Sequence, residues 1–154
     1  VDDAITYLRP RISSKVEMNV NGYAKDIEAM INKPLFEWVI ENICKNAVDA
    51  MKGQGKIAID IIKESEQYVI VDISDTGKGM EKKMFKRVFN PGFSTRKRGW
   101  GLGLTLAKRI IEGYHQGKIF VKQSEVGKGT TFRIILNGVK EQMEENTKDN
   151  FFSF

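Results

Sequence analysis

The 154 residues, 41% of them hydrophobic, can bury one good core and are too few for two ordinary domains, so the sequence reads as a single domain. A net charge of +5 would suit nucleic acid or an anionic membrane. Lysine and arginine are, however, spread along the chain and mixed with acids, except at Arg96, Lys97 and Arg98, so neither a nucleic-acid partner nor direct membrane contact is expected. The single cysteine, Cys44, excludes an internal disulfide and a multi-cysteine metal site and reads as a buried structural thiol, and no apolar run approaches the roughly 18 residues of a membrane span.

In chain order, residues 1–12 place Ala4, Ile5, Leu8 and Ile12 at helical spacing, with Pro10 spoiling the last turn. Residues 16–20 alternate and end at Asn21-Gly22, a strand and a turn, while the apolar residues 27–31 fit no one period. Asn32 and Pro34 open the clearest helix: Asn32 can accept a hydrogen bond from a first-turn amide, and Pro34 stands where no N–H is required. Its core stripe is Phe36, Val39, Ile40, Ile43, Ala47 and Met51, and Gly53 and Gly55 end it. Asn42, Asn46 and Asp49 fall at i, i+4 and i+7 and line up on another face.

Residues 56–62 and 68–74 are β-rich runs joined by a polar stretch short enough for a hairpin, and the second delivers Asp75 at its C-terminal end. Residues 81–89 read as a short helix and 91–99 as loop. Residues 102–111 form a helix with Leu102, Leu106 and Ile110 on one stripe and Ala107 and Ile111 beside it. Gly101 and Gly103 at its mouth leave backbone amides open to an anion. Residues 118–123 and 130–136 read as a last pair of strands around the turn at Gly127 and Gly129, and the polar residues 138–154 as a mobile tail.

Residues 73–104 organise the rest: a carboxylate closing an apolar strand, two glycines, then a basic segment ending in alternating glycines. Asp75-Thr76-Gly77 alone would be an ordinary turn. The run Gly99, Gly101, Gly103 has the wrong spacing for a dinucleotide fingerprint and follows a loop. Gly127-Lys128-Gly129-Thr130 lacks the upstream glycine of a P-loop and precedes a strand.

Taken together and in order, the segments resemble the catalytic ATP-binding domain of bacterial sensor histidine kinases, which shares the Bergerat fold with chaperone ATPases, DNA gyrase and mismatch-repair ATPases. Residues 41–50 look like that family's N box, 75–79 its G1 box, 89–93 its F box, 99–104 its G2 box and 129–132 its last glycine-threonine motif. The resemblance implies an α/β two-layer sandwich, with a mixed, mainly antiparallel sheet covered on one face by helices. It places the catalytic domain at residues 1–137 and implies ATP and Mg²⁺ as cofactors.

The resemblance also assigns the site. Asp75 would accept from the adenine amino group, with Thr130 near the ring, Gly77 and Gly79 admitting the base and Met80 packing on its face. Asn46 would hold Mg²⁺, Asn42 would face the phosphates, and Lys45 lies between them in the same box. Asp49 is either a further site group or the wet face of the helix. Gly99, Gly101, Leu102, Gly103 and Leu104 would cradle phosphate, and Arg96 or its neighbours Lys97 and Arg98 would reach the γ-phosphate from a movable cover. Asn42, Asn46 and Arg96 are thus the catalytic candidates.

The expected activity is transfer of the γ-phosphoryl group to a histidine on a separate dimerisation domain, for relay to a response regulator, in a cytoplasmic chain whose parent is a homodimer and can be anchored in the inner membrane. His115, the lone histidine, stands where the family carries a structural turn residue. A clamp-type ATPase needs a base where this chain has Asn42, and Glu41 is turned about 100° away around the helix. A serine kinase acting as an anti-sigma factor would share the pocket.

Overall fold

The computed structural model describes residues 14–22, 27–93 and 102–139. Five strands, β1 (Val16–Asn21), β2 (Gly55–Lys63), β3 (Tyr68–Asp75), β4 (Lys118–Glu125) and β5 (Gly129–Asn137), form one sheet in the order β1-β2-β3-β5-β4. Only β1 and β2 run parallel; β2–β3, β3–β5 and β4–β5 are antiparallel. The mixed, mainly antiparallel sheet is the one expected.

Helix α1 (Lys33–Ala50) covers the inner face of the sheet. Asn32 caps it, its Oδ1 accepting from the Leu35 amide at 3.2 Å, with Pro34 in the first turn. Phe36, Val39, Ile40, Ile43, Cys44 and Ala47 are buried along the helix. They join Ile57, Ile59, Val71, Ile73, Val121, Phe132, Ile134 and Leu136 from the strands in one core. Each such aliphatic side chain contributes about 1.5–3 kcal/mol on burial. Cys44 lies inside it, its thiol pushed up to about 12 by burial, an inert position.

The outer face of the sheet carries a polar centre. Asp72, only 4% exposed, is held by Arg133 through Nε–Oδ1 at 2.8 Å and Nη2–Oδ2 at 2.9 Å, with Lys122 Nζ at 3.3 Å. Burial alone would push this carboxyl up, but Arg133 and then Lys122 outweigh it and hold it below the usual range. The cross-strand register Asp72↔Arg133 makes the pair.

Two expectations are corrected. Residues 81–89 do not form one helix; they make two 3₁₀ turns, Lys82–Met84 and Arg87–Phe89. The segment is too short to nucleate an α-helix on its own, and seating Val88 and Phe89 in the core sets its path instead. Helix α2 (Gly103–Arg109) continues through a π turn, Ile110–Tyr114, beyond the expected end. It buries Ala107 and Ile111, whereas Leu102 and Leu106 on the neighbouring stripe are exposed. The ambiguous residues 27–31 supply one isolated bridge, Ala29↔Gly138. Gly138, read as the start of the tail, is still tied down, its amide donating to Gln67 O at 2.7 Å. The leading helix and residues 140–154 lie outside the described residues.

Candidate functional site

The candidate site begins at the C-terminal end of β3, where the strand hands Asp75 to the loop that follows. Asp75 Oδ1 accepts the Gly77 amide at 2.8 Å, and the Thr130 amide lies on the carboxylate's side and draws its pKa down. Burial pushes its pKa above the ordinary carboxylate value, against the pull of those two amides. Among the described residues no cation pairs with it. A half-buried carboxylate held only by backbone amides costs stability, which points to use and not to architecture.

The two glycines after Asp75 are required by the protein itself. A Cβ on Gly77 would stand 2.8 Å from the Ala50 carbonyl group, because the loop closes on the end of α1 through Lys78 N–H to Ala50 O at 3.0 Å. Gly79 has φ +65°, and a Cβ there would fall on the Glu125 carbonyl. The Gly127 amide donates to Lys78 O at 2.7 Å. The loop is therefore clamped between α1 and the β4–β5 turn, and Met80 emerges from it half-buried.

Thr130 is 6% exposed, and its hydroxyl lies 2.7 Å from Ser124 Oγ. Ser124 also accepts the Met80 amide at 2.8 Å and reaches Gly129 O at 3.0 Å. Reading the sequence did not single out Ser124. The signal was the hairpin, whose register places Ser124 opposite Thr130.

On α1, Asn42 and Asn46 are half-buried, one turn apart on one face. Asn42 Nδ2 donates to Trp38 O at 2.8 Å, so its oxygen must point the other way, and Oδ1 lies 3.0 Å from where a Gly103 Cβ would stand. Asn42 thus faces the first turn of α2, and any side chain at position 103 would press on it. Lys45 is exposed and ion-paired with Glu41 at 2.8 Å, and Asp49 is exposed. Leu102 is exposed, while Gly103 and Leu104 are half-buried. Thr105, also not singled out from sequence, donates through Oγ1 to Phe89 O at 2.7 Å and ties α2 to the second 3₁₀ turn. Arg96, Gly99 and Gly101 lie outside the described residues.

His115 stands apart from this constellation. It is 7% exposed, and its Nε2 accepts the Asn32 amide at 2.9 Å while Nδ1 faces Ile110 O at 3.0 Å. A backbone amide can only donate and a carbonyl only accept, so the ring is neutral with its proton on Nδ1. Both nitrogens are engaged: Nε2 holds the start of α1 and Nδ1 ties the ring back to the π turn that precedes it, a structural position.

For a metal, the described residues contain no cluster of three or more His, Cys, Asp or Glu. One amide oxygen from Asn46 is a donor suited to a Mg²⁺ ion whose remaining ligands are water and phosphate, and to no ion held by protein alone.

An open mixed sheet with helices on one face, and a carboxylate at the end of its central strand, make an α/β sandwich with a candidate ligand site at that strand end. The sequence matches the profile of the "Histidine kinase-, DNA gyrase B-, and HSP90-like ATPase" family over residues 32–139, and the chain belongs to that family. It is 41% identical to Sporulation kinase E of Bacillus subtilis over 111 residues, which covers 72% of this chain and 15% of that protein. It is likewise 41% identical to the signal transduction histidine-protein kinase AtoS of Escherichia coli over 105 residues, covering 68% of this chain and 17% of that one.

Among solved structures, the catalytic domain of the histidine kinase ThkA superposes with a TM-score of 0.78 at 24% identity, covering 92% of this chain and 91% of that one. Full-length ShkA in complex with AMPPNP gives 0.77 at 21%, over 90% of this chain and 29% of that one. ThkA in complex with the response regulator TrrA gives 0.75 at 22%, over 92% and 40%. At these identities the structures bear on the fold, which they share.

Proposed function

We propose that this chain binds ATP and acts as the catalytic domain of a two-component sensor histidine kinase. The observation that carries the reading is Asp75: a half-buried carboxylate at the end of the central strand, held by the Gly77 amide and without a cation among the described residues. An acceptor-only group there suits the amino group of adenine and repels a keto oxygen. Met80 and Thr130 flank it, and Asn42 and Asn46 lie along α1 toward the first turn of α2, the direction the phosphates would take. Asn46 would hold Mg²⁺, which supplies charge neutralisation on the phosphates when bound. Arg96 would add a cation at the γ-phosphate, and Gly99, Gly101, Leu102, Gly103 and Leu104 amide contacts. Lys45 and Asp49, both exposed on α1, would stand at the rim.

In the reaction the bond between the γ-phosphorus and the bridging oxygen breaks, ADP leaves, and a P–N bond forms to a histidine of a separate helical dimerisation domain, whose ring proton goes to a base on that domain. Positioning and electrostatics supply most of the acceleration. Both His115 nitrogens are engaged, which argues for an acceptor elsewhere. Asn42 cannot act as a base toward water, and its amide is already committed to Trp38, which disfavours a clamp ATPase. The relatives' names, and ThkA's complex with the response regulator TrrA, support relay to a response regulator; the reading takes the parent as a homodimer with this domain in the cytoplasm. Among the described residues no helix is long and apolar enough to cross a membrane.

The test is incubation with labelled ATP and Mg²⁺, alone and with a protein carrying the helical dimerisation domain. Acid-labile phosphate on that partner only, abolished by Asn46→Ala, is expected. Label on His115 of this chain, or phosphate release to water without transfer, would contradict the assignment.

A further inference from the structure

The peptide unit that joins Gly129 to Thr130 has both of its polar ends in use. Its N–H, on Thr130, is turned toward the carboxylate of Asp75, against whose backbone Gly129 packs, and its C=O, on Gly129, accepts from Ser124 Oγ at 3.0 Å. The plane of that peptide decides where the N–H points. The hydroxyl of Ser124 is therefore one group removed from the carboxylate that would read the base.

The same oxygen of Ser124 accepts the Met80 amide at 2.8 Å and lies 2.7 Å from Thr130 Oγ1. One hydroxyl on β4 thus fixes three things at once: the residue that would stack on the base, the orientation of the peptide aimed at Asp75, and the Thr130 side chain. Met80 and Ser124 are 44 residues apart, so no local structure holds these parts in register. Gly129 allows the arrangement, since a Cβ there would fall on the Asp75 carbonyl.

We infer that Ser124 is a positioning residue for base selectivity: through the Gly129–Thr130 peptide and Met80 it aims Asp75 at an amino purine and holds the base edge against a keto purine. The inference rests on the proposed ATP site. Ser124 touches no nucleotide atom itself; it acts through Asp75, Thr130 and Met80.

The consequence is specific. Loss of the hydroxyl frees the peptide to tilt, which weakens the hydrogen bond that favours the amino group and relaxes the rejection of a keto oxygen. Affinity for ATP falls and affinity for inosine triphosphate does not, because the two nucleotides differ only at that base edge. A loss of general stability would lower both alike.

The experiment is calorimetric titration of the whole chain and of Ser124→Ala and Ser124→Thr with Mg–ATP and Mg–ITP, with thermal melting of each. The expected result is a fall of about 5–10-fold in the ATP to ITP affinity ratio for Ser124→Ala, the size of one lost hydrogen bond, with the ratio restored in Ser124→Thr. A ratio unchanged in Ser124→Ala, or equal loss of both nucleotides, overturns the positioning role while leaving the site itself intact. Failure of the unaltered chain to bind ATP sinks the site reading, and this inference with it.

Discussion

Replacing His115 with alanine tests whether the lone histidine is architecture. The change leaves the Asn32 amide, where α1 starts, without its acceptor, and takes one of two donors from Ile110 O, which keeps the His115 backbone amide. An unsatisfied buried amide costs about 1–3 kcal/mol, and the space left beside Phe36, whose ring lies 6.3 Å from the imidazole, adds a further packing loss. The total is about 2–4 kcal/mol. At about 2–4 °C per kcal/mol for a domain of this size, the melting temperature should fall by about 5–15 °C. Tyr114→Ala is the control: that neighbour is 72% exposed and its loss should stay within about 0.5 kcal/mol. Below the transition, His115→Ala should still bind ATP, because Asp75, Thr130 and Met80 are held by other contacts. Equal melting of the two variants would refute a structural role for His115.

Gly77→Ala should destabilise by about 1–3 kcal/mol, since its Cβ meets the Ala50 backbone at 2.8 Å and neither partner is a flexible side-chain end; chemical denaturation reads it, and an unchanged midpoint would contradict the clamp. Asp72→Asn should cost about 1–3 kcal/mol at neutral pH, because Arg133 keeps only part of its pairing but is itself partly exposed. The Asp72 carboxyl is lowered in the fold, so its contribution is present above the ordinary carboxylate pKa of about 3.9 and is lost as pH falls through the folded value. Acid melting of the variant should accordingly lack that component. Thr105→Val should loosen α2 from Phe89 without touching the base site, so hydrogen exchange along Gly103–Arg109 should quicken while the preference for ATP over ITP is kept.

Where structure follows from neighbours in the chain, the sequence was legible. Asn32 and Pro34 announce α1, the 3.6-residue spacing from Phe36 to Ala47 marks its buried face, and alternation with turn glycines marks the strands. Asp75, Met80 and Thr130 were singled out from sequence and are indeed brought together. Less visible was whatever depends on distant partners. Residues 81–89 look helical in isolation, but Val88 and Phe89 answer to the core, and the result is two 3₁₀ turns. The Leu102, Leu106 and Ile110 stripe suggests a buried face by hydrophobicity, yet α2 turns Ala107 and Ile111 inward, since small and branched residues fit the close approach to α1. Gly77 and Gly79 look like room for a ligand, whereas the space they leave is filled by Ala50 and the β4–β5 turn. Ser124 carries no sequence signature of its own; only the strand register reveals it.

The most direct measurement is titration of the chain with Mg–ATP beside its Asp75→Asn variant, with the melting of both followed at neutral pH. Burial raises the Asp75 carboxyl in the fold, so the stability it contributes is present below the ordinary carboxylate pKa and lost as pH rises through the folded value; at neutral pH its charge is a cost. The substitution should therefore leave melting unchanged or raise it, while removing a charged hydrogen bond of about 1.5–3 kcal/mol, a loss of about 10–150-fold in ATP affinity. Equal ATP affinity in the two proteins would remove Asp75 from the site and contradict the account at its centre.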